Sequence, residues 1–509
     1  MSFEMSATMN TTAFLSGSEA ISRGAYEAGV KFGCGFYGTP VTDILTHFQK
    51  EYERNVQWTP NEKVAVEVAY GTITGGVRSM VVLKNSGINN ASEPLVSAAY
   101  HGVNAGLVIV AIDDPGMLTS SNEQDTRHFA RSAKLPLLAP SDPQEALDFV
   151  KLAFKMSEQY NLPVVVRLTS RLCFTRSVCR LDEPLTNGIK SPLDEIPRLS
   201  DRSKRHGEIE KQLAAIGSFG NKAFDINTID VGSPDVGIIT SGISYAYAKE
   251  VLPEASYLKI GIIHPLPQQL ITYFAGLVQR LYVIEELDPF IEEQIRAMGI
   301  KVIGKEVFPH TGELNPDIVA KGLEAEGVKS EELQRDIIEL PVKQDASCAG
   351  CQHQGLMNVF TKLGLHVVGD IGCYAAGETP PNPDHEMGCF CIGASMSIAY
   401  GISLAQNSHA DNKTVALLSG STFLHSGLQS LSNIVSNKGT ATVCILAHEG
   451  SESDNGTKKI DFEQICRGLG IESLHKVDST DEAAIERALG EELPKPGVSV
   501  IIASAHSAD

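Results

Sequence analysis

The chain has 509 residues, of which 42% are hydrophobic and 20% are charged, and its formal net charge is −20. This length is too great for one hydrophobic core, and the composition is that of folded proteins, which excludes a disordered chain. The acidic charge repels phosphate backbones and no lysine or arginine cluster interrupts it, so nucleic acid is not an expected partner.

Membrane and secretion signals are missing from the sequence. No apolar run reaches the roughly 20 residues that span a bilayer, and the opening letters MSFEMSATMNTT lack a basic flank followed by an apolar core. We therefore expect a cytoplasmic protein with no membrane association. In that compartment its ten cysteines are better explained as buried thiols, metal ligands or redox groups than as disulfides.

Residues 1–181 alternate apolar strands with amphipathic helices. MVVLK and GLVIVAI have strand character, whereas PQEALDFVKLAFKMSEQY has helical periodicity. This alternation predicts a parallel sheet with helices on both faces. Residues 182–232 lose the strand pattern and predict a connecting segment that contains one helix around HGEIEKQLAAIGSF.

Two further α/β segments follow. Residues 233–341 resume the alternation with DVGIITSGISYAYAKEVL, and residues 342–509 carry strand patterns at LHVVGDIG, TVALLSG, TATVCILAHE and VSVIIASA. We predict an α/β chain of three doubly wound domains with these limits. The charged letters VIEELDPF in the second domain predict a solvated strand end that contains Glu285, Glu286 and Asp288.

Several separated motifs resemble one protein family. NEKVAVEVAYG, YGTPVTDIL and KNSGINNASEPL in the first domain, VIEELDPFIEEQIRAMGI in the second, and CAGCQHQG, GDIGCYAAGETPP and CFCIGASMSIAYG in the third are similar to the large subunit of indolepyruvate:ferredoxin oxidoreductases. The resemblance covers nearly the whole chain in the family's domain order. It implies a thiamine-diphosphate-enzyme fold made of pyrimidine-binding-like, middle transketolase-C-like and diphosphate-binding-like domains.

The resemblance also implies an activity and partners. In that family, thiamine diphosphate attacks a 2-oxoacid, carbon dioxide leaves, iron–sulfur clusters carry electrons to ferredoxin, and coenzyme A accepts the acyl group. Aryl pyruvates are the implied substrates, and a homodimer, a possible small partner subunit and a ferredoxin-type electron carrier are the implied partners. The chain lacks the two dense cysteine runs of the family's C-terminal ferredoxin-like domain.

Glu62, in NEKVAVEVAYG, is the candidate catalytic residue. The resemblance implies that its carboxyl group would hydrogen-bond the aminopyrimidine of the cofactor, so that the exocyclic nitrogen can take the thiazolium proton. The alternative role is a glutamate that caps a helix. The surrounding pattern favours ancestry from a cofactor-activating glutamate, which does not by itself imply present activity.

The metal-binding half of the family's cofactor site is altered. Where the family has Gly-Asp-Ser-Thr, this chain has LLSGST, so that Ser419 and Gly420 replace the glycine and the metal-binding aspartate. One strand later the family's Asp-Asn pair is replaced by Ala447 and His448. Magnesium prefers oxygen ligands, and imidazole is a poor substitute. The sequence therefore predicts that ordinary binding of thiamine diphosphate with Mg²⁺ is lost.

A rebuilt site is the alternative at this position. Glu449, Glu452 or Asp454 could fold back as substitute ligands, while Ser421 and Thr422 could still donate hydrogen bonds to phosphate oxygens. The serine, asparagine and glycine content of SESDNG favours an exposed turn instead.

Four cysteines form a candidate metal site. Cys348 and Cys351 make a Cys-x-x-Cys pair, Cys373 lies in GDIGCY and Cys466 in FEQICRGLG. Soft thiolates drawn from separate loops suit a [4Fe-4S] cluster, and related 2-oxoacid oxidoreductases place cluster ligands in similar contexts. This set is the predicted cluster site.

Other assignments of the cysteines stay open. Zinc could bind the Cys-x-x-Cys pair with His353, although a second tight pair is absent. Either Cys389 or Cys391 could replace Cys466 as a ligand, or both could pack as buried thiols. The remaining cysteines lie in apolar contexts and predict buried structural thiols: Cys34, Cys173, Cys179 and Cys444.

The sequence thus supports three functional hypotheses. The first is a divergent family member that holds a [4Fe-4S] cluster in a redox or cofactor-handling complex without ordinary thiamine catalysis. The second is an active thiamine-dependent oxidative decarboxylase of aryl pyruvates with a rebuilt metal site. The third is a non-enzymatic or zinc-binding scaffold.

Overall fold

The computed structural model describes residues 11–185, 202–329, 353–370, 386–387, 391–406, 413–448 and 460–505. It divides into two compact units, Met1–Asp336 and Ile337–Asp509. The first unit contains two sheets and a two-stranded ribbon, and the second contains one sheet. Within these residues no helix is both long and apolar enough to cross a membrane.

The largest sheet of the first unit has seven strands in the order β12–β6–β7–β5–β4–β2–β3. Neighbouring strands are parallel, except that β12 runs antiparallel to β6. The central strands β5 and β7 are buried along their whole length, as expected for a sheet covered on both faces. The strands are β2 (Phe32–Gly35), β3 (Asn55–Trp58), β4 (Ser79–Lys84), β5 (Leu107–Asp113), β6 (Leu137–Leu138), β7 (Val164–Thr169) and β12 (Ile262–His264).

Nine helices accompany this sheet in the described part of residues 11–220. Local capping fixes several of their starts: Asp142 accepts from the backbone N–H of Glu145 and is followed by Pro143, a residue suited to a first helical position. The helices are α1 (Gly17–Glu27), α2 (Val41–Tyr52), α3 (Glu62–Thr74), α4 (Asn85–Asn90), α5 (Ser92–His101), α6 (Thr126–Ser132), α7 (Pro143–Tyr160), α8 (Ser170–Phe174) and α9 (Arg202–Gly220). The ribbon pairs β1 (Thr12–Ser16) antiparallel to β8 (Arg176–Arg180).

The second sheet of the first unit has the order β13–β10–β11–β9, with β9 antiparallel to β11 and the others parallel. Its strands and helices are β9 (Thr228–Asp230), β10 (Ser233–Thr240), α10 (Ser244–Val251), β11 (Ala255–Lys259), α11 (Gln268–Ala275), β13 (Arg280–Ile284), α12 (Phe290–Ala297) and α13 (Pro316–Ala325). Strand β12 leaves this chain segment and extends the edge of the seven-stranded sheet. The chain segment of the second sheet therefore supplies a strand to the first, and the two sheets share a hydrophobic core.

A buried ion pair also joins the two sheets. It shows that the predicted solvated strand end is wrong for Glu285 and Glu286. Glu285 and Glu286 are buried, because Arg127 of α6 reaches them from the other sheet. Its guanidinium pairs with the Glu285 carboxylate and donates to the carbonyl oxygens of Glu286 at 2.8 Å and Asp288 at 2.9 Å. Only Asp288 keeps an exposed carboxylate. The compensating arginine lies 158 residues away in sequence.

The second unit is built on a six-stranded sheet whose neighbours are all parallel, in the order β15–β14–β16–β17–β19–β18. Its elements are α14 (Gln354–Leu363), β14 (His366–Val368), β15 (Glu386–Met387), α15 (Ser395–Gln406), β16 (Thr414–Ser419), α16 (Gly420–Thr422), α17 (Leu428–Ser436), β17 (Ala441–His448), α18 (Phe462–Gly468), β18 (Ser473–Asp478), α19 (Glu482–Glu492) and β19 (Val498–Ala505). One π-helical turn, Phe423–Gly427, joins α16 to α17.

Three α/β sheets, each mainly or wholly parallel, confirm the predicted fold class. The predicted domain limits themselves stay a prediction.

Candidate functional site

The strand order of the seven-stranded sheet changes direction between β2 and β4, and in open α/β sheets a crevice is expected at the carboxyl ends of such strands. The chain leaves β2 for β3 on one side and enters β4 and β5 on the other. Such a reversal separates the following loops, and ligands of open α/β sheets bind in the resulting crevice. Glu62 begins α3, the helix that follows β3, and thus lies at this end of the sheet.

Glu62 is buried, with 5% of its surface exposed. The helix start is fixed by Asn61, whose side-chain oxygen accepts from the backbone N–H of Val64 at 2.9 Å. Glu62 therefore does not serve as the helix cap, which removes the alternative role proposed for it. Its Oε2 accepts from Nδ2 of Asn90, at the end of α4, at 2.8 Å.

Gly87 of α4 packs directly against the Glu62 side chain. A Cβ added to Gly87 would lie 2.7 Å from Glu62 Cγ and 2.9 Å from its Oε1. Both distances are shorter than van der Waals contact, so a glycine at this position is required for the observed place of the carboxyl group. Gly87 and Asn90 together hold the carboxyl group in one orientation.

Cationic and hydroxyl groups lie in the same crevice, at the end of β4. Lys84 Nζ donates to the carbonyl oxygen of Thr119 at 2.6 Å and to its Oγ1 at 3.0 Å. The same Thr119 hydroxyl donates to the carbonyl oxygen of Thr39 at 3.4 Å. Burial lowers the pKa of Lys84, and the nearby carboxylate of Asp114 opposes that shift. Lys84 could not be predicted as a site residue from the sequence, because a single lysine at the end of a strand forms no recognisable motif.

In the second unit, hydroxyl groups gather where β16 ends. Ser419 caps the following helix by accepting from the backbone N–H of Thr422 at 3.2 Å. Its Oγ also lies 2.9 Å from Ser421 Oγ and 2.8 Å from Thr422 Oγ1. The structure thus brings together Ser421 and Thr422, the two predicted phosphate donors, around a third hydroxyl. Their action on a phosphate stays a prediction.

The position that carries the metal-binding aspartate in the resembled family is filled by an aromatic ring. Gly420 is buried, and a Cβ built on it would lie 2.6 Å from Cζ of Phe462 and 3.0 Å from its Cε2. Phe462 begins α18 and packs edge-to-face on Phe423, with the ring centroids 5.8 Å apart. A carboxylate at position 420 would therefore require the Phe462 ring to move.

These residues do not fit a magnesium-bound diphosphate. Gly420 offers no side-chain ligand atom, the Phe462 ring lies where its Cβ would be, and β17 ends at His448, a residue type that magnesium disfavours. The substitute ligands Glu449, Glu452 and Asp454 lie outside the described residues.

Asp370, just after β14, is a further buried carboxylate of the second unit. Its Oδ1 accepts from the backbone N–H of Gly393 at 2.9 Å and its Oδ2 from that of Ser395 at 3.2 Å. It therefore caps the start of α15, a structural role in the described contacts. The buried orientation of an aspartate that follows a strand could not be found from its sequence position alone.

The cysteines of the predicted cluster divide between described and undescribed parts of the chain. Cys348, Cys351 and Cys373 lie outside the described residues, as does Cys389. Cys466 of α18 is fully buried in an apolar cluster, and burial raises the pKa of its thiol to about 11.

Other residues weighed for these sites are described. Cys391 is exposed before α15, and His353 is buried at the start of α14. The predicted buried structural thiols are confirmed as buried: Cys34, Cys173, Cys179 and Cys444.

Comparison with protein families and relatives gives matches in both units. The family model described as "Pyruvate flavodoxin/ferredoxin oxidoreductase, thiamine diP-bdg" matches residues 23–187. The one described as "Thiamine pyrophosphate enzyme, C-terminal TPP binding domain" matches residues 370–503. The first match contains the Glu62 crevice, and the second contains the end of β16. The domains thus have the fold of thiamine-dependent enzymes.

Relatives with similar sequences cover nearly the whole chain. Indolepyruvate oxidoreductase subunit IorA of Archaeoglobus fulgidus is 34% identical over 96% of this chain and 85% of its own length. Proteins of the same name are 31% identical in Methanothermobacter thermautotrophicus, over 96% of this chain and 86% of that relative, and 30% identical in Pyrococcus horikoshii, over 96% and 84%.

A solved structure shares the fold. It is a 2-oxoglutarate:ferredoxin oxidoreductase from Magnetococcus marinus with 2-oxoglutarate, coenzyme A and succinyl-CoA bound, and it superposes with a TM-score of 0.52 at 16% identity. The match covers 62% of this chain and 65% of that chain, slightly less than two thirds.

Proposed function

Because this chain belongs to the family of indolepyruvate oxidoreductase subunit IorA, we propose that it is a divergent subunit of a 2-oxoacid:ferredoxin oxidoreductase-like complex that has lost ordinary thiamine diphosphate catalysis. In this proposal the chain acts in a redox or cofactor-handling complex, and its substrates are aromatic 2-oxoacids, the class that includes the indolepyruvate of the relatives' names. Its proposed partners are a second copy of the chain, a small partner subunit and a ferredoxin-type electron carrier.

The contact between Gly420 and Phe462 carries the proposal. A thiamine enzyme needs a divalent cation to neutralise the diphosphate, and this chain replaces the aspartate with glycine and fills the space with a ring. Glu62, in contrast, keeps a buried and oriented carboxyl group. Retention of one half of the site with loss of the other favours a descendant of a thiamine enzyme over an unrelated binding protein.

The redox part of the proposal is a [4Fe-4S] cluster on Cys348, Cys351, Cys373 and Cys466. Thiolate ligands from separate loops suit such a cluster. The apolar surroundings of Cys466 support a buried, water-excluded position for one ligand, whereas Cys389 or the exposed Cys391 is the alternative fourth ligand.

Two other functions remain as alternatives. The buried carboxyl group of Glu62 favours an active thiamine-dependent decarboxylase of aryl pyruvates, in which Glu449, Glu452 or Asp454 would rebuild the metal site. A zinc-binding or non-enzymatic scaffold is favoured by the buried His353, which follows the Cys-x-x-Cys pair in the sequence.

Metal and cofactor analysis of one anaerobically purified sample separates these functions. We expect about four iron atoms and four acid-labile sulfides per chain, with little zinc and no stoichiometric thiamine diphosphate even after the cofactor and Mg²⁺ are added. Stoichiometric thiamine diphosphate would establish the rebuilt enzyme instead. Zinc without sulfide would establish the scaffold.

Serine variants identify the ligands. Cys348→Ser should abolish the iron and sulfide content, whereas the matched variant Cys179→Ser, in the ribbon of the first unit, should keep both. Comparison of Cys466→Ser with Cys389→Ser and Cys391→Ser then decides the fourth ligand, because only the true ligand is needed for a full cluster. A full cluster in the Cys348→Ser protein would contradict the assignment.

A further inference from the structure

Three side chains with metal-ligand atoms meet in the second unit, where β18 lies beside the end of α19. They are His475 of β18 and the last two residues of α19, Glu491 and Glu492. One nitrogen or oxygen atom of each lies within 4.8 Å of those of the other two. This cluster shares no residue with the predicted cofactor and cysteine sites.

Glu492 is the buried member of the cluster, with 3% of its surface exposed. Its Oε1 lies 2.8 Å from Nε2 of His475 and accepts from Nζ of Lys495 at 2.8 Å. Its Oε2 is shielded from solvent and has no hydrogen-bond partner among the described residues. A buried carboxylate oxygen without a partner is unfavourable, so this atom indicates a place for a cationic ligand.

Negative charge exceeds positive charge around this oxygen. Burial raises the pKa of Glu492, but Lys495 and His475 lower it overall, so the carboxyl group is ionised at neutral pH. The hydroxyl group of Ser473 also favours the ionised form, although it is outside hydrogen-bonding geometry. Glu491 adds a second carboxylate in the last turn of α19, which contains no basic residue and is the negative end of the helix dipole. Lys495 supplies one compensating charge, fewer than the two carboxylates require.

We propose that His475, Glu491 and Glu492 bind a zinc-type divalent cation, whose remaining coordination positions are filled by water. Zinc binds imidazole nitrogen and carboxylate oxygen, and three protein ligands with water make an open zinc site. Calcium and magnesium prefer oxygen ligands, so the imidazole selects against them. The inference does not rest on the proposed function, because the site uses none of the cysteines.

The described side chains need only small movements to hold this ion. Zinc–ligand bonds of about 2.0–2.2 Å place tetrahedral ligand atoms roughly 3.4 Å apart, and the three atoms already lie within 4.8 Å of one another. Two carboxylates balance the two positive charges of the ion. Lys495, whose side chain is 52% exposed, turns to solvent when the ion replaces it. The ion then joins β18, the edge strand of its sheet, to α19.

Cobalt titration of the full chain tests the site, because Co²⁺ takes the same ligands as zinc and has a visible spectrum. The protein is purified in a chelator, which empties a site with one exposed ligand, and it carries Cys348→Ser so that an iron–sulfur spectrum does not interfere. We expect about one Co²⁺ per chain, with ligand-field absorption and without the charge-transfer absorption that thiolate ligands give. Equal concentrations of Ca²⁺ or Mg²⁺ should not displace it.

Variants in the same protein assign the ion to these residues. His475→Ala and Glu491→Gln should each weaken Co²⁺ binding by at least about tenfold, since even partners outside the ligand shell contribute that much. Glu491 is exposed, so Glu491→Gln should fold normally. The matched control is Glu486→Gln, because Glu486 lies on the same helix and pairs with Lys362 instead. It should leave Co²⁺ binding unchanged.

A second measurement follows the stability of the second unit. An ion that binds only the folded state stabilises it, so ZnCl₂ should raise the Tm of this unit in the Cys348→Ser protein. Glu491→Gln should abolish that increase, whereas Glu486→Gln should keep it.

Absence of Co²⁺ binding, or equally strong binding in His475→Ala and Glu491→Gln, would overturn this proposal. Thiolate charge-transfer absorption from the bound ion would do the same, since it would place the ion on cysteines. Iron and sulfide analysis of the wild type is independent of these results. A full cluster without Co²⁺ binding at His475 would therefore contradict only this site.

Discussion

The ring of Phe462 lies where a side chain at position 420 would begin. A Cβ on Gly420 would come within 2.6 Å of the Phe462 ring, and the ring itself is held by edge-to-face contact with Phe423. An aspartate restored at position 420 would therefore have to displace the Phe462 ring. The loss of the ligand and the filling of its space are two separate changes.

A Gly420→Asp variant should be less stable than the wild type, by about 1–3 kcal/mol in unfolding free energy, as is typical of an overpacked core. Differential scanning calorimetry measures this as a lower Tm for the second unit. Ser421→Asp is the control, because it adds the same carboxylate at the neighbouring exposed position. In a Phe462→Ala background, Gly420→Asp should lower the unfolding free energy by a smaller amount, since the ring is absent. A Gly420→Asp protein as stable as the wild type would contradict the packing described.

Gly87→Ala should displace the Glu62 carboxyl group, because the new methyl group would lie 2.7 Å from Glu62 Cγ. We expect a loss of about 1–3 kcal/mol in the unfolding free energy of the first unit. Urea titration followed by Trp58 fluorescence measures this loss. In a Glu62→Ala background, Gly87→Ala should lower the unfolding free energy by a smaller amount. The double-mutant cycle should then give a coupling energy between the two positions above about 0.5 kcal/mol. Additive effects of the two substitutions would mean that the residues do not touch.

Arg127→Met should destabilise the first unit by about 3–5 kcal/mol, because it leaves the buried carboxylates of Asp125 and Glu285 without their cation. The control is Arg171→Met. Arg171 pairs with Glu313 while half exposed, and such pairs contribute only about 0–1 kcal/mol. Urea unfolding monitored at Trp58 compares the two. Similar losses of unfolding free energy in Arg127→Met and Arg171→Met would contradict a larger contribution of the buried ion pairs.

His264 predicts acid sensitivity of the first unit. Burial, with the nearby positive charges of Arg131 and Lys134, lowers its pKa from 6.5 to about 4, and neither ring nitrogen has a hydrogen-bond partner among the described residues. Glu210 opposes the shift. Since the folded protein favours the neutral ring, this contribution is complete above pH 6.5 and is lost as the pH falls from 6.5 towards 4.

The unfolding free energy lost when His264 becomes protonated amounts to at most about 3 kcal/mol, at 1.36 kcal/mol for each unit by which the pKa is shifted. In His264→Phe the unfolding free energy should therefore decline less between pH 7 and pH 4.5 than in the wild type. His310→Phe is the control, because His310 is exposed. Parallel pH profiles for wild type and His264→Phe would assign the acid sensitivity to other groups.

Local patterns predicted several of the parallel strands and the 18-residue helix α7. PQEALDFVKLAFKMSEQY is α7 from its first letter to its last, because Asp142 caps it and Pro143 starts it. TVALLSG and VSVIIASA correspond to β16 and β19 within one residue. Strand β18 was not predicted, since its residues are mostly half-buried at the sheet edge and lack a continuous apolar run.

What the sequence could not predict depends on contacts between distant residues. The burial of Glu285 depends on Arg127, which is distant in the sequence. The residues next to Glu285 in the sequence indicate only an acidic segment. The loss of the metal aspartate was visible at Gly420, but the ring that takes its place comes from Phe462, in another element. The contact between His475 and Glu492 likewise joins two elements, β18 and α19.

Strand β12 has a consequence for how the first unit can be divided. Ile262 and His264 complete the edge of the seven-stranded sheet by pairing with β6, although they follow the start of the other sheet. A polypeptide cut at residue 232 would lack this strand and leave the β6 edge open, and open edges promote intermolecular pairing. The first α/β layer is therefore not a transferable module. Recombination or truncation between the two sheets should therefore yield fragments that aggregate.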